Sequence, residues 1–212
     1  MNWKRIALMI LGIILTIVGF GDTMLLIFPM WIFAYLFKEK ISLLLNRFPL
    51  PVAFIGTGIF FGLLTEFFAI LNNLSVPAEQ RILISPNPAL DLIYGFFYYM
   101  NLIVVWYLLL RKISYSKKEV FLITGLVGIF TEESGQVFLR ILSTPLEGSL
   151  YTVIVMFVYG IFPMITYLLC EERFKRTKTN FALKYIFAIL ALFLQWAIYG
   201  LFLLPLLKLV FG

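Results

Sequence analysis

Three carboxylates, Glu66, Glu132 and Glu133, lie inside strongly apolar runs, and their setting recurs. The first run reads Gly58-Ile-Phe-Phe-Gly62-Leu-Leu-Thr65-Glu66. The second reads Thr124-Gly-Leu-Val-Gly128-Ile-Phe-Thr131-Glu132-Glu133-Ser-Gly-Gln136-Val-Phe-Leu-Arg140. In each, a small residue, a glycine and a glutamate follow one another at four-residue intervals, which places all three on one helix face. Small-xxx-small faces let membrane helices approach closely. An ionisable side chain at membrane depth costs roughly 2.5–3.5 kcal/mol on insertion scales, so it is kept where it has a partner or a task. A desolvated carboxyl can serve as a general acid, which makes Glu66, Glu132 and Glu133 the catalytic candidates. Thr65, Thr131, Gln136 and Arg140 are binding or orienting candidates, since Glu133 and Arg140 stand two helical turns apart with Gln136 between them. Asp22 and Asp91, the only two aspartates, are expected in the same polar layer. Tyr94 and Tyr159 join them, because Tyr94-Gly-Phe-Phe parallels Tyr159-Gly-Ile-Phe on the helices expected to return beside the two runs.

These residues need a frame, and the composition says which. The 212-residue chain is 62% hydrophobic, 18% aromatic and 13% charged, with a mean hydropathy of +1.01. That excludes a soluble globular domain and implies an all-α, polytopic integral membrane protein. Without histidine, zincins, His-triad hydrolases and haem proteins with a histidine axial ligand drop out. No metal site or cofactor is expected. The single cysteine, Cys170, leaves no intrachain disulfide. The net charge of +6 sits at helix ends, so the expected partner is membrane lipid or an apolar ligand and not nucleic acid. The sequence sets no oligomeric state.

Seven apolar spans are expected, at about 6–20, 23–37, 51–71, 89–110, 120–142, 150–170 and 181–205. They group as three tandem helical hairpins (3–40, 49–112, 117–173) and a closing helix (181–207), one transmembrane domain over residues 1–212. The first two spans are near the lower limit of about 17 residues for crossing, so a shallow hairpin is the alternative there. The first hairpin keeps the small face at Gly12 and Thr16 but has Phe20 where the glutamate recurs. Ile27-Phe-Pro-Met30 matches Ile161-Phe-Pro-Met164 letter for letter. With the N-terminus cytosolic and the C-terminus outside, fourteen basic and four acidic side chains fall inside. Three basic and seven acidic ones fall outside, a net of +10 against −4. The positive-inside rule is then satisfied.

Several motifs resemble known families. Gly19-Phe-Gly21-Asp22 spells the GxGD of intramembrane aspartyl proteases, and Pro88-Ala89-Leu90 the PAL of presenilin-like members. Those proteins carry an earlier catalytic aspartate, whereas Asp22 is the first in this sequence. Gly62-Leu-Leu-Thr65-Glu66-Phe67 is similar to a glutamate motif of undecaprenyl-diphosphate phosphatases, but the Ser/Arg-bearing glycine loop of those enzymes has no counterpart here. The likeness of widest extent, over residues 58–170, is to small heptahelical carotenoid cyclases and hydratases. Pro145-Leu-Glu147 resembles their Pro-x-Glu-Glu element with Gly148 in place of the second acid. Gly62 and Glu66, followed by a proline-bearing loop and an aromatic return helix, are also similar. That resemblance implies proton-initiated chemistry on a polyene, with a carboxyl as the acid and aromatic rings stabilising the carbocation. Repeated hairpins with intramembrane carboxylates equally fit a small-solute or ion transporter or channel. A non-catalytic membrane binding or assembly protein is the third expectation.

Overall fold

Proline, asparagine and serine at segment starts set most helix boundaries. The computed structural model describes residues 3–175 and 181–212, and every regular element among them is helical. α1 (Trp3–Gly19) leads into a tight turn in which the Asp22 carboxylate accepts the Met24 amide at 3.1 Å. A short 3₁₀ turn follows, then α2 (Ile27–Leu36) and α3 (Lys38–Leu45). α4 (Leu50–Asn73) has Pro51 in its first turn, where no intrahelical amide is missed. α5 (Pro88–Lys112) opens on Pro88, with Asn87 capping the Ala89 amide at 3.0 Å. α6 (Lys117–Thr131) starts at a capping box: Ser116 accepts the Glu119 amide and Glu119 accepts the Ser116 amide. α7 (Gln136–Ser143) and α8 (Pro145–Cys170) follow. α9 (Phe181–Ile198) runs through a π-helical turn at Tyr199–Leu203 into α10 (Leu204–Phe211).

Among the described residues, four helical stretches are long and apolar enough to cross a membrane: Leu50–Asn73, Pro88–Lys112, Pro145–Arg173 and Ala182–Phe211. α1, with 17 residues, and α6, with 15, are shorter. The sequence reading of one uninterrupted helix over 120–142 is corrected. α6 stops at Thr131, a 3₁₀ turn covers Glu132–Gly135, and α7 is a separate helix. The break lies where Gly135 takes φ 88° and Glu133 takes φ 47°, left-handed backbone that cannot continue an α-helix.

Glycines set the close helix pairs. A Cβ built on Gly62 would lie 2.5 Å from Tyr99 Cγ, and one on Gly128 would overlap the root of Tyr159 in the same way. Gly58 meets Ile103, and Gly125 meets the backbone of Met156. So α4 packs on α5 and α6 on α8 through equivalent faces, and α8 also touches α2, α4 and α7. Between the two pairs, the buried Trp106 donates its indole N–H to Thr124 Oγ at 2.9 Å, tying α5 to α6. The two Ile-Phe-Pro-Met segments meet in one cluster, where Ile27 and Met30 of α2 pack with Ile161 and Ile165 of α8. At one end of the bundle Lys38 and Lys117 grip Glu171 at 2.9 and 2.8 Å, and Lys184 pairs with Glu119. The carboxylates of the two apolar runs gather at the opposite end.

Candidate functional site: an acidic, aromatic cavity

One cavity of about 760 Å³ opens at that end, lined from α4, α5, α8, the break after α6 and the π-turn after α9. Glu66 and Glu132 both line it. The buried Glu66 accepts a hydrogen bond from the Tyr99 hydroxyl, and Glu132 accepts one from the Tyr159 hydroxyl. The local logic is identical in both halves. A glycine one turn before the glutamate leaves room for the tyrosine ring, so the ring lies flat on the helix and its hydroxyl reaches the carboxyl one turn on. Tyr98 joins the halves. Its ring stands edge-on to Tyr99 at 5.4 Å, Tyr199 at 5.2 Å and Tyr159 at 6.4 Å between centroids. Thr65 and Thr131 also line the cavity, while their hydroxyls bond back to the Phe61 and Val127 carbonyls at 2.9 Å each.

Glu133 is held differently. It accepts from Arg140 and from the Tyr151 hydroxyl at 2.9 Å, and the Arg140 guanidinium lies 4.8 Å above the Tyr151 ring. Its left-handed backbone costs about 1–2 kcal/mol, and these contacts fix it there. Arg140 therefore supports the site from behind, without lining it. Asp91 is fully buried beside Glu66; its Oδ1 accepts the Ser85 amide at 2.9 Å, and its carboxyl lies within hydrogen-bonding reach of the Glu66 carboxyl. The loop between α4 and α5 forms the roof. It is braced by Arg81, which donates to the Val76 and Pro86 carbonyls at 3.0 and 2.8 Å, and by the Ile82 amide on Asn73 at 3.1 Å.

Three of the expected site residues lie away from the cavity lining. Gln136 is exposed on α7 and takes no part in the Glu133–Arg140 pair, because the helix break brings those two together directly. Asp22 is an exposed helix cap outside the lining. Tyr94 is buried outside the lining, its carbonyl accepting the Tyr199 hydroxyl at 2.9 Å; the counterpart of Tyr159 is Tyr99, five residues later. Glu147 is exposed at the start of α8 and likewise outside the cavity. Residues the sequence reading missed are Tyr98, Tyr99, Tyr151, Trp196 and Tyr199, all on the wall. Gly62 marks a close helix contact, but nothing in the sequence says which residue of the facing helix fills it, so Tyr99 had no signal of its own.

Among the described residues, no lysine or arginine lines the cavity. Glu66 and Glu132 thus have hydroxyl donors and no counter-cation among the described residues, an arrangement suited to giving up a proton or to receiving a cation. Among the described residues, no three histidine, cysteine or acidic side chains come together as a metal site. No protein-family model, curated protein or solved structure matches the chain.

Proposed function

We propose that the chain is a seven-span membrane protein that performs acid–base chemistry on an isoprenoid or another membrane lipid. The observation that carries this reading is the pair Glu66–Tyr99 and Glu132–Tyr159, side by side in one largely apolar, aromatic cavity. Glu132 and Glu66 exchange the proton with the ligand. The two tyrosine hydroxyls aim the carboxyls, and Glu133, fixed by Arg140 and Tyr151, orients the ligand. The likeness to carotenoid cyclases and hydratases supports protonation of a C=C bond, with Glu132 as the acid, Glu66 beside it in the cavity, and no part for the exposed Glu147. Matching Gly–Glu–Tyr geometry supports hairpins 49–112 and 117–173 as internal repeats. In the first hairpin Gly12 packs on Phe33 without a carboxylate at the equivalent level.

The +10/−4 charge split supports a cytosolic N-terminus and a C-terminus and cavity on the outer side. In a Cys170→Ser background, Lys118→Cys and Glu79→Cys should label from opposite sides of sealed vesicles. Labelling of both from one side would overturn the topology. For the activity, lipids extracted from membranes carrying wild type or Glu132→Gln are compared by mass spectrometry. A lipid species altered only by wild type supports the enzyme; identical profiles refute it.

A second reading, a proton- or cation-coupled carrier, is favoured by one observation: the α6–α7 break and the π-turn after α9 both abut the cavity. Broken helices line ion and substrate sites in transporters, and π-turns concentrate at functional sites. In that case Glu132→Gln should uncouple solute flux from pH in reconstituted vesicles.

A further inference from the structure

The cavity's charge balance narrows the class of ligand. Glu66, Glu132 and Glu133 line it, and the buried Asp91 stands directly behind Glu66, carboxyl against carboxyl. Among the described residues, one guanidinium stands against these carboxyls: Arg140, whose carboxylate partner is Glu133 and which also lies over the Tyr151 ring. Arg81, the only cation of the roof loop, directs its guanidinium to loop carbonyls. Glu66 is buried and Glu132 and Glu133 are half-buried, and carboxyl groups in such excess need protons or a cation from elsewhere. The rest of the wall supplies the second half of a cation site. Tyr98, Tyr99, Tyr151, Tyr159, Tyr199 and Trp196 surround the carboxyls, and aromatic rings attract organic cations through their negative faces. An anionic ligand would meet like charge. A small metal ion would make no use of the aromatic and aliphatic wall.

We infer that the cavity recognises an organic ammonium group carried on an apolar body, with Glu66 and Glu132 as its counter-charges and the tyrosines and Trp196 as its walls. This rests on the reading of the cavity as the ligand site and names the ligand's chemical class. A neutral amine reaches the same state by proton transfer: the Glu132 O–H bond breaks, an N–H bond forms, and carboxylate and ammonium remain as a pair. The ammonium belongs either to a lipid headgroup or to a free lipophilic amine, which share this chemistry.

The test uses the full chain in lipid nanodiscs and equilibrium dialysis. The probe is benzyltrimethylammonium, compared with its uncharged isostere neopentylbenzene, each corrected for uptake by empty nanodiscs. The expected result is cation affinity at least about tenfold above the isostere. Glu132→Gln should weaken cation binding by about tenfold, one ion pair's worth of affinity. Glu147→Gln, on an exposed site outside the cavity, should leave it unchanged. If Glu132→Gln does not fold, Tyr159→Phe replaces it, with a several-fold loss expected because the carboxyl is no longer aimed. Equal affinity for cation and isostere overturns the inference and leaves the apolar ligand site standing. If neither probe binds and no lipid co-purifies, both fall. Weaker probe binding in phosphatidylcholine than in phosphatidylglycerol nanodiscs identifies a competing headgroup; no difference identifies a free amine.

Discussion

Replacing Gly128 by alanine adds a single methyl group at the closest point between α6 and α8. A Cβ there would overlap Cβ, Cγ and Cδ2 of Tyr159. Those atoms are the root of the side chain, so the ring cannot swing clear unless α8 itself moves. Overpacking of this kind costs about 1–3 kcal/mol. Removing a glycine from a helix interior returns about 1 kcal/mol. The net is a loss of up to about 2 kcal/mol, which for a chain of this size lowers Tm by up to about 8 °C. Gly62→Ala should behave alike, since its Cβ would stand 2.5 Å from Tyr99 Cγ and 2.8 Å from Tyr99 Cβ. Gly56→Ala is the control. It lies on α4 with nothing within 4 Å, so only the gain in helix preference remains and Tm should rise by about 2–4 °C. Thermal unfolding of the purified protein in detergent, followed by circular dichroism, reads all three. A Gly128→Ala or Gly62→Ala variant as stable as Gly56→Ala would refute the close-approach reasoning.

Two further perturbations probe the ends and the middle of the bundle. Burial works against the Glu119 carboxylate, but Lys184, Tyr185 and the Ser116 amide overcome it and hold its pKa down to about 2 from the ordinary 4.5. The stability it contributes is therefore present above pH 4.5 and lost as pH falls towards 2, so wild type should lose more Tm over that window than Glu119→Gln does. Thr124→Val keeps the shape but strands the buried Trp106 indole N–H, which should cost about 1–3 kcal/mol in thermal unfolding with helix content unchanged.

What was legible in the sequence was whatever repeats with the helical period. Gly62 and Glu66, like Gly128 and Glu132, are four apart, and that spacing alone puts each pair on one helix face. Register between helices was not legible. The letters Tyr-Gly-x-Phe drew Tyr94 into equivalence with Tyr159, yet the relative height of α4 and α5 decides which tyrosine meets Glu66, and that is set by where Gly62 lets the helices touch. The break at Glu132–Gly135 had a local signal, since a glycine in left-handed backbone commonly ends a helix. Continuous apolar residues on both sides masked it. The π-turn at Tyr199–Leu203 had none, because its residues are ordinary helix formers apart from Gly200. The roof was hidden too: Arg81 reads as a charged loop residue, and only the fold turns its guanidinium onto backbone carbonyls.

Proton transfer between the paired glutamates and a lipid is tested most directly by isotope. The protein, wild type or Glu132→Gln, is reconstituted in vesicles of lipid extracted from the membranes in which it is expressed and incubated in D₂O. Glu66 and Glu132 exchange their protons with solvent, so protonation of a lipid carbon writes deuterium into a C–H position that does not exchange afterwards. The expected result is deuterium in one lipid species with wild type and none with Glu132→Gln, whose amide keeps the contact with Tyr159 but cannot deliver the proton. No incorporation with wild type, or equal incorporation with both proteins, would contradict it.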